Sequence, residues 1–428
     1  IRQDFMIALG LTEAPFTTAN NKSERALELA LARIRQLSAH EIGHTLGFSH
    51  NFAASAKDRT SVMDYPHPFL NLNQGKIDYS KAYETGIGSW DKVSVAYSYS
   101  DFPKETNEKK ALNEILENSA KAGHRFISDR DARPIGGAHP KAHLWDNGAS
   151  AYQELDKLMK IREVALNNLS LDHLRDGEPY SRLEDRMVPM YLLHRYQVEA
   201  VVKLIGGVDY DYAVKGPISY QTSTVEATSQ RNALKAFSNV LNPNALKIPA
   251  HLRELLPPRS FSNPRTRENF LSQSGVAFDY LGVAHSLSNT LLSMILHPER
   301  ANRLVTQYGF DSNQLGLKET LNSLVKSHFK MRFRDSHDQQ LNDLVKANLL
   351  KQMMHLGQHP EANSIVKALI HEELVALDQW LAGQTEYGFG EVYRSQIDRY
   401  FDNPEDFVPP VSKRLPDGSP IGSFSCDE

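Results

Sequence analysis

The stretch His40-Glu-Ile-Gly-His44-Thr-Leu-Gly47-Phe-Ser-His50 gathers three imidazoles and one carboxylate into residues 40–50. His40 and His44 are one helical turn apart, so on a helix both rings reach the same cleft. His50 is six positions past His44, and a continuous helix would carry it off that face. Gly47 offers a way back, because a glycine can end a helix in the left-handed conformation and let the chain turn. Three neutral imidazoles with a fourth position left to water describe a catalytic zinc site, whereas a structural site is closed by four protein ligands. Glu41 would lean over that water, take its proton and later pass it to a leaving amine, while zinc brings the water's pKa toward neutrality. A bare HExxH pair is a weak signal; Gly47 and His50 make it specific.

A helix must carry the first two histidines. Asn21-Lys-Ser-Glu24 reads as its capping box, with Asn21 as the cap. Leu27, Leu31, Ile34 and Leu37 recur at helical spacing and are expected to lie against a core. Ahead of this helix there is one short apolar run, Phe5-Met-Ile-Ala-Leu9, and no series of alternating strands.

Beyond His50 comes Ser61-Val-Met-Asp-Tyr-Pro66. With it, the chain resembles the metzincin clan of zinc peptidases. HEIGHTLGFSH fills every defined position of the clan's HExxHxxGxxH signature, and SVMDY resembles its Met-turn. The resemblance implies that Met63 lies under the three imidazoles as an apolar floor, a role that suits an unbranched thioether. It also implies that the Tyr65 phenol approaches zinc at rest and swings to hydrogen-bond the tetrahedral intermediate, stabilising oxyanion charge. Residues 40–55 and 61–66 further resemble a group of large bacterial zinc-dependent metalloproteases with a metzincin-like domain and a long C-terminal extension. Their HExGHTLGxxHNFxxS and SVMDYP phrases add Asn51, Phe52 and Ser55. Membership would imply zinc as cofactor, a protein or peptide substrate, and an exported, periplasmic or envelope-associated location in bacteria.

A metzincin catalytic domain places a twisted sheet before the zinc helix, and the sheet's edge strand pairs with an extended peptide. Residues 1–39 do not supply that sheet, and the chain opens on Ile-Arg-Gln-Asp with neither Met nor a signal peptide. The expected fold is therefore an α+β metzincin-like portion over 1–105, its upstream catalytic sheet provided by a preceding region of the same polypeptide. The competing expectation is a cleft wall built from residues after the site. A mainly α-helical extension is expected over 106–400, and an extended tail rich in Pro, Gly and Ser over 401–428.

Residues 67–105 read as loops and short elements, with Trp90, Asp91 and Tyr97 open to either pocket lining or core packing. Helices are expected at 107–121, 149–168, 184–205, 224–240, 274–305, 314–329, 337–356 and 361–382. His139 and His143 share a four-residue spacing, but Pro140 disrupts a helix through them. They are read as part of a loop near the cleft that Trp145 and Asp146 line or anchor. His355 and His359 read as a helix end, and His194 as helix packing or surface. The charged run Asp129-Arg-Asp-Ala-Arg133 is read as local ion pairs without a catalytic role.

At 428 residues the chain exceeds one ordinary core. Its net charge of -4 leaves no basic excess for a phosphate backbone, which argues against nucleic acid. The lone Cys426 excludes an intrachain disulfide and a multi-thiolate metal site. No run of apolar residues is long enough to span a bilayer. Phosphate-cradling loops, dinucleotide fingerprints and nucleophile elbows are absent from the sequence. The leading expectation is a zinc endopeptidase. Two alternatives stand beside it: a zinc-binding interaction module with weak or no catalysis, and a zinc amidase acting on cell-wall peptide. Neither cleavage preference nor oligomeric state has a signature in the sequence.

Overall fold

Apolar residues recurring every three or four positions bury themselves as helices. The computed structural model describes residues 2–17, 20–21, 23–216, 221–384, 388–411 and 415–416. The chain begins with α1 (Arg2–Leu11), a short ladder of β1 (Phe16–Thr17) and β2 (Asn20–Asn21), and α2 (Ser23–Thr45), which carries the first two histidines. A hairpin of β3 (Asn71–Asn73) and β4 (Lys76–Asp78) follows, then α3 (Ser89–Tyr99), α4 (Glu108–Lys121) and the single-turn α5 (Asp129–Ala132). Next come α6 (Ala151–Asn168), α7 (Glu184–Tyr191) and α8 (Arg195–Leu204). Strands β5 (Val208–Asp209) and β6 (Ser223–Thr224) precede α9 (Ala227–Val240) and the short α10 (Pro243–Leu246). The remainder is helical: α11 (Tyr280–Ile295), α12 (Pro298–Phe310), α13 (Leu317–His328), α14 (Ser336–Gln358), α15 (Ser364–Ala382) and α16 (Gly390–Asp402). Each of the three ladders is an antiparallel pair of strands two or three residues long.

One large core runs through both halves of the chain, from Ile7 to Leu415. It is built by helix pairs, with α1 on α2 and α7, α6 on α8, and α11 on α14. A second, smaller apolar cluster lies around the histidines and joins Phe52, Ala53 and Tyr65 to Ile127, Ala132, Ala142, Leu144 and Trp145. Among the described residues no helix is long and apolar enough to cross a membrane.

Several expectations change at the level of elements. The apolar run at Phe5–Leu9 is part of a ten-residue helix whose Ile7, Ala8, Leu9 and Leu11 are buried. The short elements expected among the loops of residues 67–105 are the β3–β4 hairpin and the eleven-residue α3. The span 184–205 is two helices with a turn at Leu192–His194, and 274–305 is broken at His297, where Pro298 opens a new helix at its first position. Helix α16 had no counterpart in the sequence reading. His359 caps α14, as its following proline suggested. The side chain of Asn21, expected to cap α2, lies outside what is described, while Glu24 stands exposed in the first turn; Cys426 with most of the tail also lies outside the described residues.

The larger correction concerns α2. Leu27 and Leu31 are solvent-exposed, 51 % and 41 %, and Ile34 and Leu37 only half-buried. The face that packs on α1 carries instead Ala26, Leu29, Ala30, Arg33 and Gln36. Buried Arg33 satisfies its charge against Asp4 of α1 and Gln36, and its guanidinium lies 5.6 Å from the centre of the Trp145 ring. Two polar residues therefore occupy positions that a hydrophobic count assigns to solvent. Leu29→Ala should cost about 2–4 kcal/mol, and Leu27→Ala under about 0.5 kcal/mol. Thermal denaturation of the two variants reads the difference, and equal losses would contradict this packing.

Candidate metal centre

Helix α2 ends at Thr45, two residues before Gly47, which takes φ +86° and turns the chain. The Gly47 N–H donates to the His44 carbonyl (2.9 Å) and the Phe48 N–H to the Gly43 carbonyl (3.1 Å), a Schellman closure. Tyr99, at the end of α3, donates to the freed Leu46 carbonyl at 2.8 Å. The chain then doubles back and places His50 beside His44.

Each imidazole is oriented by what its Nδ1 reaches. His40 Nδ1 lies 2.7 Å from the Val62 carbonyl, His44 Nδ1 2.9 Å from the Phe48 carbonyl, and His50 Nδ1 2.8 Å from the Asp129 carboxylate. All three partners can only accept, so each Nδ1 carries the hydrogen and each Nε2 presents a lone pair. The Nε2 of His44 sits 3.0 Å from that of His40 and 3.2 Å from that of His50. Lone pairs facing one another at that range repel unless a cation lies between them. A tetrahedral ion bound at about 2.0–2.1 Å sets its ligand nitrogens about 3.3 Å apart. The three histidines therefore form a group that could hold a metal ion. Burial pushes the His40 pKa down to about 3, which keeps this ring in the neutral, ligating form.

The Met-turn segment lies directly beneath. Met63 is buried, and its sulfur occupies the space a side chain at residue 43 would need, so Gly43 is required for the turn to approach the helix. Asp91 of α3 holds the segment by accepting from Ser61 Oγ (2.6 Å) and the Val62 N–H (2.8 Å). Gln36 donates to the same Val62 carbonyl that orients His40 (3.1 Å). Asp91 is thus an anchor for the Met-turn. Asn51 links three segments: its N–H donates to the Met63 carbonyl, its Nδ2 to the Arg125 carbonyl, and its Oδ1 accepts from Ala53 and Ile127.

Tyr65 is buried among aromatic rings. Trp145 stacks on it at 5.1 Å, while His50 and Phe52 meet it edge-on at 4.8 and 5.4 Å. Trp145 holds a left-handed backbone, φ +61°, rare for a bulky residue, and its N–H donates to the Tyr65 carbonyl. Glu41 is exposed on the same turn of α2 as the first two histidines, and its neighbours Ile42 and Thr45 are exposed too.

Asp129 and Arg133 form the local ion pair expected of their charged run, but the sequence reading missed their connection to the site. Asp129 accepts from His50 and, at 2.5 Å, from Arg133 Nε, and Arg133 Nη2 reaches the Tyr65 hydroxyl at 3.4 Å. Burial opposes ionisation of Asp129, but the hydrogen bonds from His50 and Arg133 and the charge of Arg133 outweigh it and hold the carboxyl below its ordinary range. Only the single-turn spacing of 129 and 133 hinted at this pair, and nothing local ties it to residue 50. The other histidines stand apart from the metal-ligating group. His139 contacts the Tyr210 carbonyl, His143 lies 3.2 Å from Glu199, and His194 is buried at the start of α8.

Two further buried acids brace the site. Ser55 donates its N–H to Asp64 and its hydroxyl to Asp146. Burial pushes the Asp146 pKa up to about 7, and burial together with nearby Asp146 raises Asp64.

Outer-shell carboxylates of this kind govern metal affinity, so Asp129→Asn should weaken metal binding roughly 10–100-fold. Chelator competition measures it, and unchanged affinity would remove Asp129 from that role. For Asp146, the folded state keeps a proton that the unfolded chain releases between about pH 4 and pH 7. Its contribution to stability is thus full below that window and is lost as pH rises through it. Asp146→Asn should gain several degrees on wild type in Tm between about pH 5 and pH 8, and a constant difference would contradict the buried proton.

Comparison with curated proteins and with solved structures finds no match. A family model described as Met-zincin matches residues 22–335, which spans α2, the Met-turn, the Asp129–Arg133 segment and the helices through α13. The chain belongs to the Met-zincin family and carries a metzincin-clan, zinc metallopeptidase-like domain.

Proposed function

We propose that this chain is a zinc-dependent peptidase that cleaves internal peptide bonds. The observation that carries the reading is the convergence of three Nε2 lone pairs, each fixed by an Nδ1 acceptor, with Glu41 one residue after the first histidine. His40, His44 and His50 would hold the ion, and the all-nitrogen donor set with neutral rings suits zinc. When bound, zinc supplies Lewis acidity at the scissile carbonyl and at the attacking water.

The chain's own residues do the rest. The Glu41 carboxylate accepts a proton from the attacking water and returns it to the leaving amine nitrogen. Its exposed position keeps it open to both. The Tyr65 hydroxyl, held among Trp145, Phe52 and His50, donates to the oxygen on which negative charge develops. Met63 fills the floor without offering a competing charge.

A second reading is favoured by one observation. The exposed face of α2 beside Glu41 carries Leu27, Leu31 and Ile42, and the described strands are too short to form a peptide-binding sheet there. A metal-binding interaction module, weak or inactive as a hydrolase, would use such a face for a protein partner. The amide of a cell-wall peptide is open to the same chemistry and belongs in any substrate panel.

Metal analysis and cleavage of a peptide library with added cell-wall peptide separate these readings. Wild type should retain one zinc and cleave. Glu41→Gln should retain the zinc and lose turnover by at least about a thousandfold, and His50→Ala should lose both. Zinc retention without cleavage by wild type would favour the interaction module, and normal hydrolysis by Glu41→Gln would reject the assigned base.

A further inference from the structure

The metal ligands and the Tyr65 phenol come from different segments, yet both lead to one guanidinium. Arg133 Nε donates to Asp129 Oδ1 at 2.5 Å, and the same carboxylate accepts from His50 Nδ1. Arg133 Nη2 points to the Tyr65 hydroxyl at 3.4 Å, and its carbon lies 5.4 Å from the Tyr65 ring centre and 5.7 Å from that of Phe52. A planar fork can serve two acceptors in fixed directions at once, which an ammonium cannot.

Arg133 is itself held in place. It follows α5 directly, its N–H donating to the Asp129 carbonyl at 2.9 Å. The next residues are clamped by α12: Arg300, fully buried, donates to the Ile135 carbonyl (3.0 Å), and Arg303 to the Gly136 carbonyl (2.8 Å). On the other side, both Tyr210 and Tyr212 donate to Asp131, within α5. The guanidinium therefore projects from a braced loop.

We infer that Arg133 is a positioning residue that joins the third metal ligand to the phenol, fixing the Tyr65 hydroxyl in one place facing the histidines. Tyr65 then works without a swing: it is 1 % exposed, stacked on Trp145 and tethered at its hydroxyl. The catalytic part of this inference rests on the peptidase reading; the tie between Arg133 and the metal ligand does not.

The test uses the full chain as wild type, Arg133→Ala, Arg133→Lys, Tyr65→Phe and the Arg133→Ala/Tyr65→Phe double variant. Each is loaded with cobalt(II) for its visible spectrum and with zinc for peptide hydrolysis. Arg133→Ala should shift the cobalt band through Asp129 and His50, and lower kcat about tenfold or more with KM within about twofold. Arg133→Lys, which keeps the charge and guards against a folding defect, should shift the band in the same direction and recover only part of the rate. Tyr65→Phe should lose roughly a hundredfold in kcat, and the double variant should lose less than the product of the two single losses, because part of the Arg133 effect runs through Tyr65. An unmoved cobalt band in both Arg133 variants, or single losses that multiply in the double variant, would overturn the inference. A wild type that binds cobalt but cleaves nothing would defeat the peptidase reading, while the band comparison would still judge the tie from Arg133 to the ligand.

Discussion

Three nitrogen lone pairs must point at one another, and that arrangement is unfavourable until a cation fills it. Much of the surrounding structure answers this constraint. Each ring has to be prevented from rotating away or adopting the other tautomer, so each needs a hydrogen-bond acceptor behind it. The acceptors are delivered from three places: the turn after α2, the Met-turn backbone and the carboxylate of α5. Asp91, Gln36 and Asn51 in turn fix those acceptors. The polar interior around the histidines is thereby accounted for residue by residue, and the small aromatic cluster excludes water from its far side.

The division between what sequence makes legible and what it hides follows the range of the interactions. The three histidines, the glycine turn and the methionine floor are local patterns whose spacing has a direct geometric meaning, and the chain brings all of them together. Helices in the second half other than α16 were visible because apolar periodicity reports burial wherever the two sides of a helix face core and water. Helix α2 is different. Its buried face uses Arg33, Gln36 and His40, while Leu27 and Leu31 face solvent, so a count of apolar residues chose the wrong side. The pairing of Asp129 with Arg133 was legible as a local ion pair, but its place at the site was hidden for another reason. Their role depends on a contact across 79 positions, and no periodicity encodes which carboxylate a distant fold will bring to a histidine. The break at Leu192–His194 was hidden because apolar residues continue through it, whereas the break at His297 is marked in the sequence by Pro298.

Function in this protein is consequently spread along the chain more widely than its motif suggests. The signature occupies residues 40–50, but its support reaches α12, where Arg300 and Arg303 grip the loop after Arg133. The family match through residue 335 takes in this far support. The helical second half is therefore structurally continuous with the site, from the Arg300 and Arg303 side chains through the carbonyls of the loop to Arg133, whose guanidinium reaches the Tyr65 hydroxyl.

The separation between the ligands and Asp129 has a temporal side. The histidines leave the ribosome roughly four to sixteen seconds before the carboxylate that orients the last of them, at ordinary rates of synthesis. A nascent chain therefore owns its three histidines, with the Phe48 and Val62 carbonyls that orient two of them, while still lacking the carboxylate that orients His50. An ion taken up at that stage would be held by rings of which the last is not yet oriented, so its capture and its retention would be distinct events in the life of the molecule. Completion of the fold would then act as the latch.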